Sequence, residues 1–259
     1  MSDLLVPARF CGPPTSGNGG WTAGAMAQLV HGHPRDHTEP WPAITVTLRR
    51  PPPLDTAVPV HAANGVTTAA DEHATVAQAQ RSEEALTEVE AVDALVARAA
   101  EASYVGWATH PFTSCFTCGP DRDEGDGLRI FPGPVDDPDG PAPGSGRVAA
   151  VWTPHPSTAE DWHAYDDDHR RASLPVTWAA LDCPGGWAAD LATNPAVLGR
   201  MTARVDTLPL VGEEHVVVGH DRGREGRKLF TAATLYDSDG RVVATAEHTW
   251  ITVDPATFR

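Results

Sequence analysis

Positive charge is what this chain has least of. Lysine and arginine together number 19, against 35 aspartates and glutamates, giving a formal net charge of −16, and Lys228 is the sole lysine. Such a surface repels phosphate backbones and anionic headgroups, which argues against nucleic acid and membrane surfaces as partners. Long apolar runs are missing as well: none approaches the roughly 20 residues that a membrane helix needs. The opening Met1-Ser2-Asp3-Leu4-Leu5-Val6-Pro7 has neither a basic stretch nor an extended apolar one. No secretory leader is therefore expected, and the expected location is cytoplasmic. Cysteine is scarce too. The four residues Cys11, Cys115, Cys118 and Cys183 read as reduced thiols in that compartment rather than as a disulfide framework.

What remains is the composition of a globular protein, 41% hydrophobic and 21% charged, so disorder of the whole chain is excluded. A length of 259 residues suffices for one large domain or two small ones. A short first strand is predicted at 4–10. A Gly/Pro/Ser-rich turn follows, and then a nearly all-apolar, small-residue helix at 21–30, a pattern that implies burial. Alternation predicts strands at 43–49, 58–63, 66–70 and 75–80, with Pro51, Pro52 and Pro53 ending the first and Asn64-Gly65 turning the second. Residues 82–103 break the pattern. Ser82-Glu83-Glu84 suits a helix start, and Leu86, Val89, Val92, Leu95 and Val96 recur at helical spacing.

The order then repeats. Strands are predicted at 127–131, 147–152, 201–206, 215–220, 228–236 and 242–253, with a second small-residue helix inside 176–192 and polar loops at 132–146 and 155–173. Ala27 falls on Asp182 at an offset of 155, Thr47-Leu48 on Arg204-Val205 at 157, and Val76-Ala77 on Val243-Ala244 at 167. A repeat of this length means two copies of one supersecondary unit. The expected organisation is a unit at 1–82, a connecting helix or linker at 83–108 and a second unit at 109–259.

A buried helix wrapped by an antiparallel meander, twice in one chain, resembles the double-hotdog acyl-CoA thioesterases. Asn18-Gly19-Gly20 is similar to the His-Gly-Gly helix opening of the phenylacetyl-CoA type. Ala180-Leu181-Asp182 is similar to its Leu-Ala-Asp, and Arg49-Arg50-Pro51-Pro52-Pro53-Leu54 to an Arg-Pro that ends a strand in many relatives. The sequence departs from the pattern in two places: Asn18 stands where the family often has histidine, and Ala27 stands where the second helix has Asp182. The resemblance implies an α+β double hotdog with long central helices on a curved antiparallel sheet. It also implies hydrolysis of an acyl thioester, on coenzyme A or another acyl carrier, without a cofactor. A helix-opening glycine N–H would meet the thioester carbonyl, with a carboxylate as base or nucleophile. Asn18, Gly19, Gly20 and Asp182 are then the catalytic candidates. Because each half lacks one part, a single asymmetric site between the halves is expected. A non-catalytic acyl-ligand binding protein, or a hotdog dehydratase or hydratase, is the alternative. A homo-oligomer of such chains is compatible with the resemblance.

Each candidate has a plainer reading. Asp182, amid Trp178, Ala179, Ala180 and Leu181, is either a buried acid with a raised pKa or a helix residue bonded to a neighbouring strand. Asn18-Gly19-Gly20 serves equally as a turn before a helix. His248 and Glu247 alternate on the last strand, so only one faces inward. Both stand near a polar active-site position of some family members, and both read equally as solvated strand residues. Arg222, Arg224, Arg227 and Lys228 could hold the phosphates of coenzyme A, or simply be a solvated hairpin. Cys115-Phe116-Thr117-Cys118 is one knuckle where a structural zinc site needs further ligands, so no metal is expected. Cys183, beside Asp182, reads as a small core residue or a nucleophile.

Overall fold

A computed structural model describes residues 2–30, 40–136, 146–159 and 169–258. The loops expected at 132–146 and 155–173 fall partly outside them. The first half comprises β1 (Ser2–Leu4), α1 (Gly19–Gln28), β2 (Trp41–Leu48), β3 (Val58–Ala63), β4 (Val66–Ala70) and β5 (Thr75–Arg81). After α2 (Ala94–Ala100) come β6 (Gly133–Pro134), β7 (Arg147–Trp152), α3 (Leu174–Ala188), β8 (Ala196–Val205), β9 (His215–Glu225), β10 (Lys228–Tyr236) and β11 (Val242–Thr252). The strands form one antiparallel sheet in the order β1-β3-β4-β5-β2-β8-β11-β10-β9-β7-β6. The halves meet where β2 pairs with β8, with Thr45 opposite Thr202 and Val46 opposite Met201.

Both α1 and α3 lie on the sheet and against each other. All fifteen residues of α3 are buried, as an all-round apolar helix must be. The helices approach closely because α1 has glycines at the crossing. A Cβ on Gly20 would lie 2.5 Å from Asp182 Cβ and 2.8 Å from the Trp178 carbonyl, and one on Gly24 would lie 2.5 Å from Pro175 Cα. The core between helices and sheet includes Met26, Ile44, Val46, Trp178, Leu181 and Met201.

The repeat register read from the sequence reappears in the hydrogen bonds. Arg49 N–H donates to the Val76 carbonyl, and Asp206 N–H to that of Val243, both at 2.9 Å. Gly17 N–H donates to Pro52 and Ala172 N–H to Pro209. Thr22 Oγ1 bonds the Asn18 carbonyl as Thr177 Oγ1 bonds that of Ser173. Thr45 Oγ1 lies 2.8 Å from its own counterpart, Thr202 Oγ1, 157 positions away. A two-fold pseudo-axis therefore passes through the β2–β8 seam.

Three elements differ from expectation. Residues 127–131 form no strand: Arg129 has φ +55°, and Leu128 and Ile130 donate to Phe116 and Thr117 of the preceding loop. No helix begins at Ser82. The chain has no regular structure as far as Asp93, which caps α2 through its side chain; there Val89 N–H bonds Thr234 Oγ1 and Arg147 holds the carbonyl of Glu90. The strand expected at 4–10 stops at Leu4, with a 3₁₀ turn at Ala8–Phe10.

Candidate active site

The opening of α1 depends on Asn18. Its Oδ1 accepts the Trp21 N–H at 2.8 Å, a conventional N-cap. Its Nδ2 donates to Thr117 Oγ1 at 3.3 Å and faces Cys115 Sγ at 3.6 Å. With both polar atoms engaged and only 2% of the residue exposed, Asn18 positions the helix end.

Gly20 donates its backbone N–H to Asp182 Oδ2 at 2.8 Å. The structure thus brings together the two residues that the sequence placed in different halves, and it does so once. Under the 155-residue offset the counterpart of Gly20 is Pro175, which has no N–H, and that of Asp182 is Ala27. The other carboxylate oxygen, Oδ1, is buried without a partner. Burial pushes the Asp182 carboxyl up to about 8, against the Gly20 N–H, which favours the ionised form, while Cys115 adds to the rise. The Gly19 N–H is the first of the helix and has no hydrogen-bond partner among the described residues, as the end of a helix leaves it.

Both residues line one cavity of about 270 Å³. Its walls are largely apolar, from Leu48, Pro52, Phe112, Leu191, Leu198 and Trp250, and its polar members include Asn18, Asp182 and His110. Arg49 and Arg50 also line it. Arg50 is paired with Asp71, whereas Arg49 bonds Gln78. The sequence had offered these arginines only as part of a strand-ending motif. Their place at the cavity became visible once β2 was seen to end there.

The other candidates lie elsewhere. His248 is buried beneath α3, with Nδ1 3.2 Å from Thr231 Oγ1. Glu247 accepts the Thr87 N–H. Arg222 is exposed, Arg224 bonds Asn194, Arg227 bonds the Thr252 carbonyl, and Lys228 is exposed. None of these six residues lines the Asp182 cavity. The β9–β10 hairpin extends away from it, which is why a basic cluster in sequence is not a basic wall in space.

Three cysteines do line it. Cys115 and Cys118 come from the loop after α2, and Cys183 comes from α3. Cys115 Sγ is 3.6 Å from Cys183 Sγ, and all three sulfurs lie within 4.8 Å of one another. All are buried free thiols. Thiol hydrogen bonds from Cys118 and Cys183 hold Cys115 well below its ordinary value. Burial raises Cys118, and the bond to Cys115 raises Cys183. The Cys-x-x-Cys pair was visible in the sequence. Its third member, 68 positions beyond Cys115, was not.

Among solved structures the chain is similar to a hotdog-fold protein of unknown function from Alicyclobacillus acidocaldarius. The two are 16% identical over 96% of this chain and 92% of that one, with a TM-score of 0.50. It is also similar to the TesB protein of Mycobacterium avium subspecies paratuberculosis, at 14% identity over 96% and 91%, TM-score 0.53. A candidate thioesterase II from Thermobifida fusca, at 14% over 93% and 88%, has a TM-score of 0.52. No sequence-family model and no curated protein matches the chain. The chain has the hotdog fold, with a large antiparallel sheet. No helix among its described residues is long and apolar enough to cross a membrane.

Proposed function

We propose that this chain is a double hotdog, with units at 1–82 and 109–259 joined by 83–108, and that it hydrolyses an acyl thioester at one asymmetric site between the units. The observation that carries this reading is that Gly19, whose N–H is unpaired, and Asp182, whose Oδ1 is unpaired, both line one apolar cavity. The thioester carbonyl oxygen accepts from Gly19, where a helix N-terminus stabilises the developing oxyanion. Asp182, held by the Gly20 N–H, takes a proton from the attacking water in its ionised form, so the rate rises with pH toward the raised value of about 8. The water oxygen bonds the carbonyl carbon, the C–S bond breaks, and the thiol leaves with a proton. The apolar walls hold the acyl chain. Arg49, at the cavity and exposed, meets phosphates of the thiol carrier. The thioesterase description of the T. fusca neighbour agrees with this assignment.

Hydrolysis of a panel of acyl-CoAs, followed by thiol release, tests it. Asp182→Asn should lower turnover roughly 10²–10⁴-fold, the span of a general acid–base group. Ligand affinity should survive, because the amide oxygen still accepts the Gly20 N–H. An unchanged rate in a folded Asp182→Asn protein would rule out this mechanism. Saturable acyl-CoA binding with no turnover of any panel member would instead favour a binding protein.

A further inference from the structure

We propose that Cys115, Cys118 and Cys183 bind a zinc ion at the wall of the cavity, a site independent of the thioesterase reading. A zinc–thiolate bond of about 2.3 Å in a tetrahedral arrangement sets the sulfurs about 3.8 Å apart. The three sulfurs already lie within 4.8 Å of one another, two of them at 3.6 Å. The sulfurs need approach one another by no more than about 1 Å to close the site.

Two of the three sulfurs face nitrogen donors. Asn18 Nδ2 faces Cys115 Sγ at 3.6 Å, and His110 Nε2 lies 3.4 Å from Cys118 Sγ. His110 Nδ1 accepts the Phe112 N–H at 3.0 Å. The proton of the neutral ring is therefore on Nε2, which donates to the sulfur. Donors of this kind orient metal-bound thiolates from outside the coordination shell. The backbone of the Cys115 loop supports the same reading, since Gly119 N–H donates to the Cys115 carbonyl at 2.8 Å. That closes a tight turn which aims both cysteines of the pair the same way. A Cβ at Gly119 would lie 2.4 Å from the Thr113 carbonyl, so the turn requires glycine.

Three buried thiols in mutual contact are poorly satisfied by one another, because a thiol is a weak donor and a weak acceptor. A divalent cation gives all three a common partner. Soft thiolates select zinc over the hard cations. The fourth position falls to a water, because His110 Nε2 carries its proton toward Cys118.

The full chain, purified under reducing conditions without added metal, should carry about one zinc by elemental analysis. Cobalt substitution should give a thiolate-to-cobalt charge-transfer band and the visible bands of a tetrahedral site. A mercurial that blocks thiols should release the metal as the three cysteines are consumed, a readout on the wild-type chain that needs no variant. Cys183→Ser should lose the metal and the charge-transfer band. Cys11→Ser should keep both, since Cys11 Sγ instead meets Arg122. The proposal is overturned if the reduced protein holds neither zinc nor cobalt, or if a Cys115–Cys183 disulfide forms in its place. Full retention of metal in Cys183→Ser would overturn it as well.

Discussion

Asp182 has one oxygen on a backbone donor and the other on nothing. A carboxylate so placed in a core is costly to keep charged, and nothing in the packing of α3 requires an acid there: Ala27 fills the equivalent place in α1 and is equally buried. On the proposed mechanism the residue is present for what enters the cavity. His248 makes the opposite case. It is 3% exposed, with Nε2 unpartnered and Nδ1 near Thr231, and it does not line the Asp182 cavity. Burial lowers it from 6.5 to about 4, so the folded state holds it neutral. An unfolded chain binds the proton at higher pH than the folded one. The stabilisation is thus complete above about pH 6.5 and is lost as pH falls from there through about 4, amounting to about 3 kcal/mol at most. Urea unfolding of wild type and His248→Gln between pH 7 and pH 4 should show a steeper fall for the wild type. Parallel curves would mean that His248 is already protonated or exposed.

At the level of elements, the helix crossing decides what the glycines of α1 do. The sequence pointed to Gly20 as a place where a ligand approaches the backbone. In the structure the approaching body is α3, with Asp182 Cβ and the Trp178 carbonyl in the space a methyl would need. Because one obstacle is backbone, no rotamer change relieves it. Gly20→Ala should cost about 1–3 kcal/mol by overpacking, seen as a lower urea midpoint together with lower turnover. Normal stability with reduced turnover alone would return Gly20 to the ligand. This is also where sequence reading reached its limit. β2, β3, β4 and β5 were legible because alternation and proline or Asn-Gly stops are local signals. The helix opening at 18–20 was legible as a turn before a helix, but not the N-cap that Asn18 provides. The irregular run after Ser82 was not legible, because its contacts are with Thr234 and Arg147, distant in sequence. Nor was the union of Cys183 with the Cys115 pair, or the exclusion of Arg222 and its neighbours from the cavity. Both depend on where α3 and the β9–β10 hairpin lie in space.

On the scale of the whole molecule, the strands of both halves form one sheet through β2 and β8, with Thr45 meeting Thr202 at the seam. Residues 109–259 expressed alone should not fold cooperatively. Losing β2 bares the edge of β8, and losing α1 bares the face of α3 that holds Asp182. Self-association is the natural escape, with a second copy's α3 taking the place of α1. The repeat shows why that fails. Under the 155-residue offset, Pro175 of the second copy would occupy the place of Gly20. Its ring would fall where even a Cβ meets Asp182 Cβ at 2.5 Å, and it has no N–H to give the carboxylate. Such a dimer would bury two Asp182 side chains without a donor, each at a cost of about 1–3 kcal/mol or more. Size-exclusion chromatography and calorimetry of residues 109–259 should therefore find aggregate or unfolded chain, and co-expression with residues 1–108 should restore a soluble complex. A monomer or symmetric dimer of the half with a single sharp thermal transition would contradict this. Pro175→Gly returns the space and the N–H at one of the two close points of the crossing; at the other, Ala179 of the second copy would put a Cβ in the place of Gly24, 2.5 Å from the Cα of residue 175, so Pro175→Gly together with Ala179→Gly is the pair of changes predicted to improve the half's self-association.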